Sequence, residues 1–257
     1  MTTPVARLPE LSYFFPAHNE AENLRGLVDE ALATLPGLAD TFEIVIVDDG
    51  SRDATPAIAD ELAGANPQVR VVHHATNLGY GAAIRSGFAA ARLANIAFTD
   101  GDRQFRIADL GRLIERLESG DVDAVVGYRI RRADPLARTL YARLYRLANR
   151  IFFGLRVRDV DCACKLFTRS SLEGVSVESG GAFLSAELLV KLRARGRRLA
   201  EVGVPHYPRT AGSPTGAKPS VVLRAVREFW LLRLRLWANP ARALRRGEPI
   251  LGSETNP

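Results

Sequence analysis

Apolar residues in the first half of the chain come in short continuous runs, not in simple alternation. LSYFF (11–15), FEIVIV (42–47), VRVVHH (69–74), NIAFT (95–99) and DAVVGYR (123–129) are rich in β-branched and aromatic residues. Such runs suit strands that are buried on both faces. Between them the polar residues fall at helical spacing. Asn19 with Glu22 three positions on reads as a capping box opening a helix that Pro36-Gly37 stops near Leu35. Thr55-Pro56 opens a second helix, with Thr as N-cap and Pro at the first helical position. GYGAAIRSGFAAARLA (79–94) is the third helix and residues from about 107 to 118 the fourth. This rhythm predicts an α/β, Rossmann-like and mostly parallel sheet flanked by helices. Ligands bind such sheets beyond the carboxyl ends of the strands. Pro16 to Glu20, Asp48 to Ser51 and Asp100 to Gln104 each follow a strand, so they converge on one rim.

The second half is less regular. Leu136, Leu140, Leu144, Leu147 and Ile151 recur at helical spacing with arginines between them. A strand is expected near Lys165–Thr168, a helix from about Ala182 to Arg195 and a strand over Ala200–Tyr207. Residues 210–216 form a Gly/Pro loop, followed by an arginine-rich helix over about 219–237 and a polar tail.

Charge changes this picture more than composition does. With 257 residues, 47% hydrophobic and 25% charged, the chain is an ordinary globular protein with room for one large core or two small ones. Between Lys218 and Arg246 there are eight basic residues against one acid, Glu228, an excess above the net +6 of the whole chain. Nine arginines lie between Arg129 and Arg158 against Asp134 alone. Two places are therefore expected to meet anionic partners. Cys162 and Cys164, without a second Cys/His cluster, do not make a zinc site and fit a reduced, cytoplasmic compartment. No run approaches the roughly 18 to 20 apolar residues of a membrane span, and no signal peptide is evident at the N-terminus.

PAHNEAENL, VDDGSRDAT, NLGYGAAIRSGF, TDGDRQ, VVGYR, VRDVDCACKLF and PRTAGSPTGAK follow one another between residue 11 and about residue 218. In this order and spacing they resemble the family-2 glycosyltransferases of the GT-A fold, especially the polyprenyl-phosphate hexosyltransferases such as dolichol-phosphate mannose synthase. The resemblance implies a catalytic domain over 1–218 and a basic amphipathic helix with polar tail over 219–257. Within the former, a nucleotide-sugar half spans about 8–129 and an acceptor half about 130–218. It also implies a Mg2+ or Mn2+ ion on Asp100 and Asp102, with Asp102 the direct ligand and Asp100 acting on ribose or through water. Such an ion neutralises a departing diphosphate. Asp49 is implied to accept from the base or its ribose, with Pro16, His18, Glu20, Val47 and Gly101 lining the same pocket. The family more often has Ala at 101 and Leu at 103; Gly101 would admit the donor closely, and Arg103 would point outward or add a phosphate contact.

On the acceptor side the resemblance places Gln104 and Arg129 beside the acceptor phosphate, with Arg132 and Arg138 as further cations. Arg209 and Lys218 match a pair that closes over phosphates, nine positions apart where some relatives have six. Asp159 matches the aspartate of a D-x-x-S-G-F motif, although the chain continues VDCACK. A phosphate acceptor, already anionic near pH 7, needs no strong base, whereas a hydroxyl acceptor would need one.

Plainer readings stand beside these. An acidic D-x-D triplet is also a common turn. Asp48 reads as an Asx-type turn that organises Gly50-Ser51, and Glu20 also suits a helix first turn. Gly79, Gly81 and Gly87 have the wrong third spacing for a dinucleotide fingerprint. In SVVLRAVREFWLLRLRLW, Trp230 and Trp237 lie seven apart on one face, which suits either an interfacial helix among anionic headgroups or packing against the domain. No nucleic-acid motif is present.

The expectation is inverting transfer of a hexose from a UDP- or GDP-sugar to polyprenyl phosphate, by a protein held peripherally at the cytoplasmic membrane face. A saccharide or hydroxylated lipid acceptor, and a non-catalytic membrane-surface binding protein of the same fold, are the alternatives. A homo-oligomer or a separate membrane partner is compatible with either.

Overall fold

The computed structural model describes residues 6–130, 136–209 and 219–252, with side chains from 142 and 221 onward in the last two segments. In chain order the elements are β1 (Leu8–Ala17), α1 (Ala21–Thr34), β2 (Ala39–Asp48), α2 (Thr55–Ala65), β3 (Val69–His73), α3 (Tyr80–Ala90) and β4 (Asn95–Phe98). Then follow α4 (Leu110–Glu118), β5 (Ala124–Arg129), α5 (Leu136–Phe153), β6 (Lys165–Thr168), α6 (Arg169–Leu172), β7 (Ser176–Val177) and α7 (Leu184–Ala194). The chain continues with β8 (Leu199–Val204), α8 (Pro219–Ala238), α9 (Pro240–Arg245) and β9 (Glu248–Pro249).

Seven strands form one sheet in the order β3-β2-β1-β4-β6-β5-β8, and every neighbour pair is parallel except those of β6. The alternation in the sequence predicts this sheet, and the continuous runs are continuous for the expected reason. Leu11 to Phe15 are all buried, with helices against both faces of the sheet. Phe14, Phe98 and Phe167 stand side by side on β1, β4 and β6, and Phe88 of α3 meets their edges at centroid distances of 5.0, 5.7 and 5.4 Å. Gly87 allows that meeting, because a Cβ there would lie 2.1 Å from the Phe14 ring.

The antiparallel strand positions the site. Lys165, which opens β6, sits opposite Phe98, which closes β4. The segment that leads into β6 therefore reaches the same rim on which the parallel strands end.

Both predicted helix caps are corrected. Asn19 has φ of 56°, and its amide oxygen accepts from Arg52 N at 2.8 Å, so no capping box forms with Glu22. Thr55 lies inside α2 behind the cap residue Ala54, and its hydroxyl accepts from Glu20 N at 2.9 Å. Asp53 accepts from both Thr55 N and Ala21 N. The amides of Glu20 and Ala21 at the start of α1 are thus satisfied across the gap between two adjacent helix ends, which local spacing does not encode, whereas Thr55 N in α2 is met locally by Asp53. The third helix stops at Ala90 and β8 at Val204, both short of expectation.

The polar tail also folds back. Residues of β9 pair with β7, and Ile250 is fully buried. No helix among the described residues is long and apolar enough to cross a membrane.

Candidate active site

The turn after β4 lies against the end of β1. A Cβ on Gly101 would come 2.6 Å from the Pro16 carbonyl oxygen, so the close approach at Gly101 is to the protein's own backbone. Arg103 takes a left-handed conformation, φ 57°, and turns back towards Glu30 at 3.5 Å, against Gly26. Asp102 Oδ1 accepts from Gln104 N at 3.1 Å, which closes the turn. Its other oxygen accepts from Arg209 Nη2 at 2.6 Å, and Arg209 also approaches Glu20 at 3.7 Å.

Asp100 is in a different position. The Tyr80 phenol lies beside its carboxylate and favours the charged form, yet Oδ1 is buried with no hydrogen-bond partner. Loss of water, then the neighbouring Asp102 charge, pushes its pKa up to about 7, against the pull of Tyr80, Lys165 and Arg129. An orphaned carboxylate oxygen beside a second carboxylate fits a hard divalent cation such as Mg2+ or Mn2+. No cluster of three or more His, Cys, Asp or Glu side chains among the described residues could complete its shell, so further oxygens would come from a bound phosphate or water.

The turn after β2 is tied to its neighbours by buried hydrogen bonds. Asp49 is buried, with Oδ1 accepting from His74 Nδ1 (2.7 Å) and Leu78 N (2.9 Å) and Oδ2 from Gly79 N (2.9 Å). Its carboxylate thus organises the 77–79 turn, and His74 passes its other ring nitrogen to Ser86 Oγ at 2.8 Å. Asp48 makes the expected turn, accepting from Ser51 N at 3.0 Å, and also binds His73. Val47 is wholly buried in β2. His18 is exposed, with Nδ1 2.9 Å from the Asp49 carbonyl oxygen, and Glu20 is half-buried, its pKa raised by burial.

On the far side of the rim Arg129 and Asp159 form a two-pronged pair, Nε–Oδ2 at 2.7 Å and Nη2–Oδ1 at 2.9 Å. Burial disfavours the charged guanidinium, but Asp159 more than compensates and raises its pKa. Gln104 sends its side-chain amide to the Tyr207 carbonyl (3.1 Å) and accepts from Tyr207 N (3.0 Å), tying the acidic turn to the arm that carries Arg209. Arg132 and Lys218 lie outside the described residues, and Arg138 is on α5 where side chains are not described.

Three residues of the site carry no role that the motifs suggest, although Tyr80 lies within NLGYGAAIRSGF and Lys165 within VRDVDCACKLF. Tyr80 opens α3 after Gly79, whose φ of 94° turns the chain towards Asp100. His74 holds Asp49. Lys165 is fully buried, donates to the Cys162 carbonyl and has its pKa lowered by burial. Its presence at the rim depends on the antiparallel register of β6.

An open α/β sheet of this kind takes its ligands at the carboxyl rim, where this chain brings two carboxylates together with an arginine lodged against one of them. The chain belongs to glycosyl transferase family 2, whose pattern matches residues 12–175. It is 36% identical over 208 residues to glycosyltransferase AglD of Haloferax volcanii, covering 78% of this chain and 33% of that protein. It is 29% identical to polyprenol monophosphomannose synthase of Mycolicibacterium smegmatis, covering 77% of each chain. It is 33% identical to dolichyl-phosphate beta-glucosyltransferase of Drosophila melanogaster, covering 63% of this chain and 55% of that one. The chain thus spans a third to about three-fifths of the length of the first curated relatives it matches. Among solved structures, glucosyl-3-phosphoglycerate synthase from Mycobacterium tuberculosis, in complex with Mn2+, UDP and glucosyl-3-phosphoglycerate, superposes with a TM-score of 0.67 at 20% identity. That match covers 88% of this chain and 79% of the other, and shows a shared GT-A fold.

Removing one member of a buried ion pair leaves the other charge uncompensated. Asp159→Ala should therefore lower the free energy of unfolding by about 3 to 5 kcal/mol in urea titration. A loss below about 1 kcal/mol would mean that Arg129 finds another partner or water.

Proposed function

We propose that the chain is a hexosyltransferase that moves a sugar from a UDP- or GDP-sugar to polyprenyl phosphate, with inversion, at the inner face of a membrane. The observation that carries this reading is the unpartnered, buried Asp100 Oδ1 beside Asp102 at the carboxyl end of β4. Relatives that act on polyprenyl phosphates by name support the acceptor class. A solved structure of the same fold, holding Mn2+ and UDP, supports the donor class.

Asp102 and Asp100 would hold a Mg2+ or Mn2+ ion, which when bound supplies charge neutralisation for the departing diphosphate. Tyr80 stands beside the Asp100 carboxylate, and Asp49 keeps the 77–79 turn in place as a wall of the nucleotide pocket. Arg209, paired with Asp102 and near Glu20, can pass its guanidinium to a diphosphate that enters beside it. Gln104 keeps the arm bearing Arg209 against the acidic turn. The Arg129–Asp159 pair supports a phosphate acceptor over a hydroxyl. Both Asp159 oxygens are engaged by Arg129, so the carboxylate that the family pattern offers as a base is held as a counter-ion.

The two basic helices support a lipid surface. On α8 Ala225, Phe229 and Leu232 are buried, whereas Leu223, Trp230, Leu234 and Trp237 are exposed, Trp237 by 77%. On α5 Leu144, Leu147 and Ile151 are exposed as well. Phe152 meets Trp230 at 5.1 Å and Phe153 meets Phe229 at 4.8 Å, so the helices are packed together. Packing and interfacial character coexist on opposite faces of one helix. The outward face, apolar among arginines, suits anionic headgroups.

The deciding experiment incubates the full chain with radiolabelled UDP- and GDP-hexoses and Mn2+, against polyprenyl phosphate and against free sugars. Labelled polyprenyl phosphate sugar is expected; transfer only to a saccharide would overturn the acceptor assignment, and no donor turnover the enzyme. Asp102→Ala should abolish transfer even at saturating Mn2+. Because a proton on Asp100 competes with the metal, Mn2+ affinity measured with UDP or GDP should weaken as pH falls below about 7, by up to about tenfold per unit. A flat profile from pH 8 to 6 would remove Asp100 from the site. Trp230→Ser with Trp237→Ser should weaken co-sedimentation with anionic vesicles by about tenfold or more, since each buried indole contributes on the order of 1.5 to 3 kcal/mol.

A further inference from the structure

Glu228 is the single acid within the basic stretch from 218 to 246, a sign opposite to the one an anionic surface would favour. Its side chain is turned inward. Oε1 accepts from Gly180 N at 3.2 Å and from Arg224 Nε at 3.0 Å, and Oε2 is buried without a hydrogen-bond partner. The Gly180-Gly181 turn is also held from α7, where Glu187 accepts from Glu178 N and Ser179 N, and from α3, where Arg85 donates to the Ser179 carbonyl.

The other side of this turn rests on the N-terminus of α3. Gly81 N donates to the Gly180 carbonyl at 3.2 Å, and a Cβ on Gly81 would come 2.6 Å from Gly180 C. The two backbones are in direct contact, so neither can shift alone. Next to that contact stand Tyr80, whose phenol lies beside Asp100, and Gly79, whose amide is held by Asp49. A continuous series of contacts therefore runs from α8 through Glu228, Gly180 and Gly81 to Tyr80 and Asp100. It joins the helix that exposes Trp230 and Trp237 to the acidic pair.

We propose that Glu228 is a positioning residue that couples α8 to the Tyr80–Asp100 contact, so that seating α8 on an anionic lipid surface changes the affinity of the acidic pair for a divalent cation. The proposal rests on the function assigned above. It gives a physical role to an acid that weakens electrostatic attraction to such a surface: its carboxylate is the link between α8 and the Gly180 amide. Coupling of this kind requires a contiguous, packed path whose two ends are both biased by ligands.

The test uses the full chain and reads Mn2+ binding by electron paramagnetic resonance of free Mn2+, with UDP and with GDP in parallel. Each titration is made with and without vesicles of phosphatidylglycerol and phosphatidylcholine. In the wild type, vesicles should change the Mn2+ dissociation constant at least about fivefold. Glu228→Ala should still co-sediment with vesicles but lose that change, and Arg227→Ala, an exposed neighbour on α8, should keep it. Glu228→Gln preserves shape without charge and serves if the alanine variant does not fold. Gly81→Ala perturbs the same contact from the other side. Combined with Glu228→Ala it should add little further loss, because both act through Gly180.

An unchanged vesicle effect in Glu228→Ala or Glu228→Gln overturns the coupling, as does a wild type that binds Mn2+ with nucleotide but ignores vesicles. A purely structural Glu228 would lower the melting temperature and leave the vesicle effect intact. A wild type that binds no Mn2+ with either nucleotide removes the assigned function itself.

Discussion

Two carboxylates pressed together at the end of one strand repel each other, and the rim around them is arranged to counter that repulsion. Asp100 loses water and faces Asp102, so its proton is held unusually tightly. Cationic and donor groups come from four separate parts of the chain: Tyr80 from α3, Lys165 from β6, Arg129 from β5 and Arg209 from the arm after β8. None of these suppresses the repulsion entirely. The Arg209 guanidinium stands against Asp102 as a cationic partner, and Asp100 Oδ1 has none. On the proposed function this incomplete compensation would suit a cation, because a fully satisfied acidic pair would have little to gain from one.

The single antiparallel strand makes the compensation possible. A parallel β6 would begin at the opposite edge of the sheet, and Lys165 would enter far from Phe98. Reversing it brings the segment with Asp159 and Cys162 to the edge where β1, β2 and β4 end. Asp159 then meets Arg129, and the buried Lys165 comes within electrostatic reach of Asp159 and Asp100. The same edge receives the Tyr207–Gln104 bonds that carry Arg209 inward. Elements from the two halves of the chain thus share one floor, although they are separate in the sequence.

The C-terminal elements show how one helix meets two demands. Phe229 and Leu232 of α8 join the core, with Phe153 and Phe183 around Phe229, while the opposite face keeps tryptophans and leucines in the open. Burial of one face gives the helix a fixed orientation, and that orientation determines which apolar residues reach outward. The tail then returns through α9 to β9, and Lys191 of α7 donates to the Arg246 carbonyl, so the amphipathic helix is clamped at its far end as well.

Much of the fold was legible in the residues alone. Runs such as FEIVIV are continuous because both faces of a parallel strand are covered, so hydrophobic pattern is enough to locate them and the rim they end on. The D-x-D turn, Asp48 as a turn residue and the two basic helices were readable for similar local reasons. What tertiary structure decided was the partners. The α1 cap passed from Asn19 to Thr55 and Asp53 at the neighbouring helix end, because the two N-termini lie side by side, and the first amide of α2 went to Asp53 just before it. Asp49 turned inward to bind the 77–79 turn, Arg129 was taken up by Asp159, and Tyr80 and Lys165 came to act on Asp100 from motifs that suggested no such role for them. A hydrogen bond or ion pair between groups tens of residues apart depends on strand order and register. Those follow from how the whole sheet packs, which no window of sequence contains.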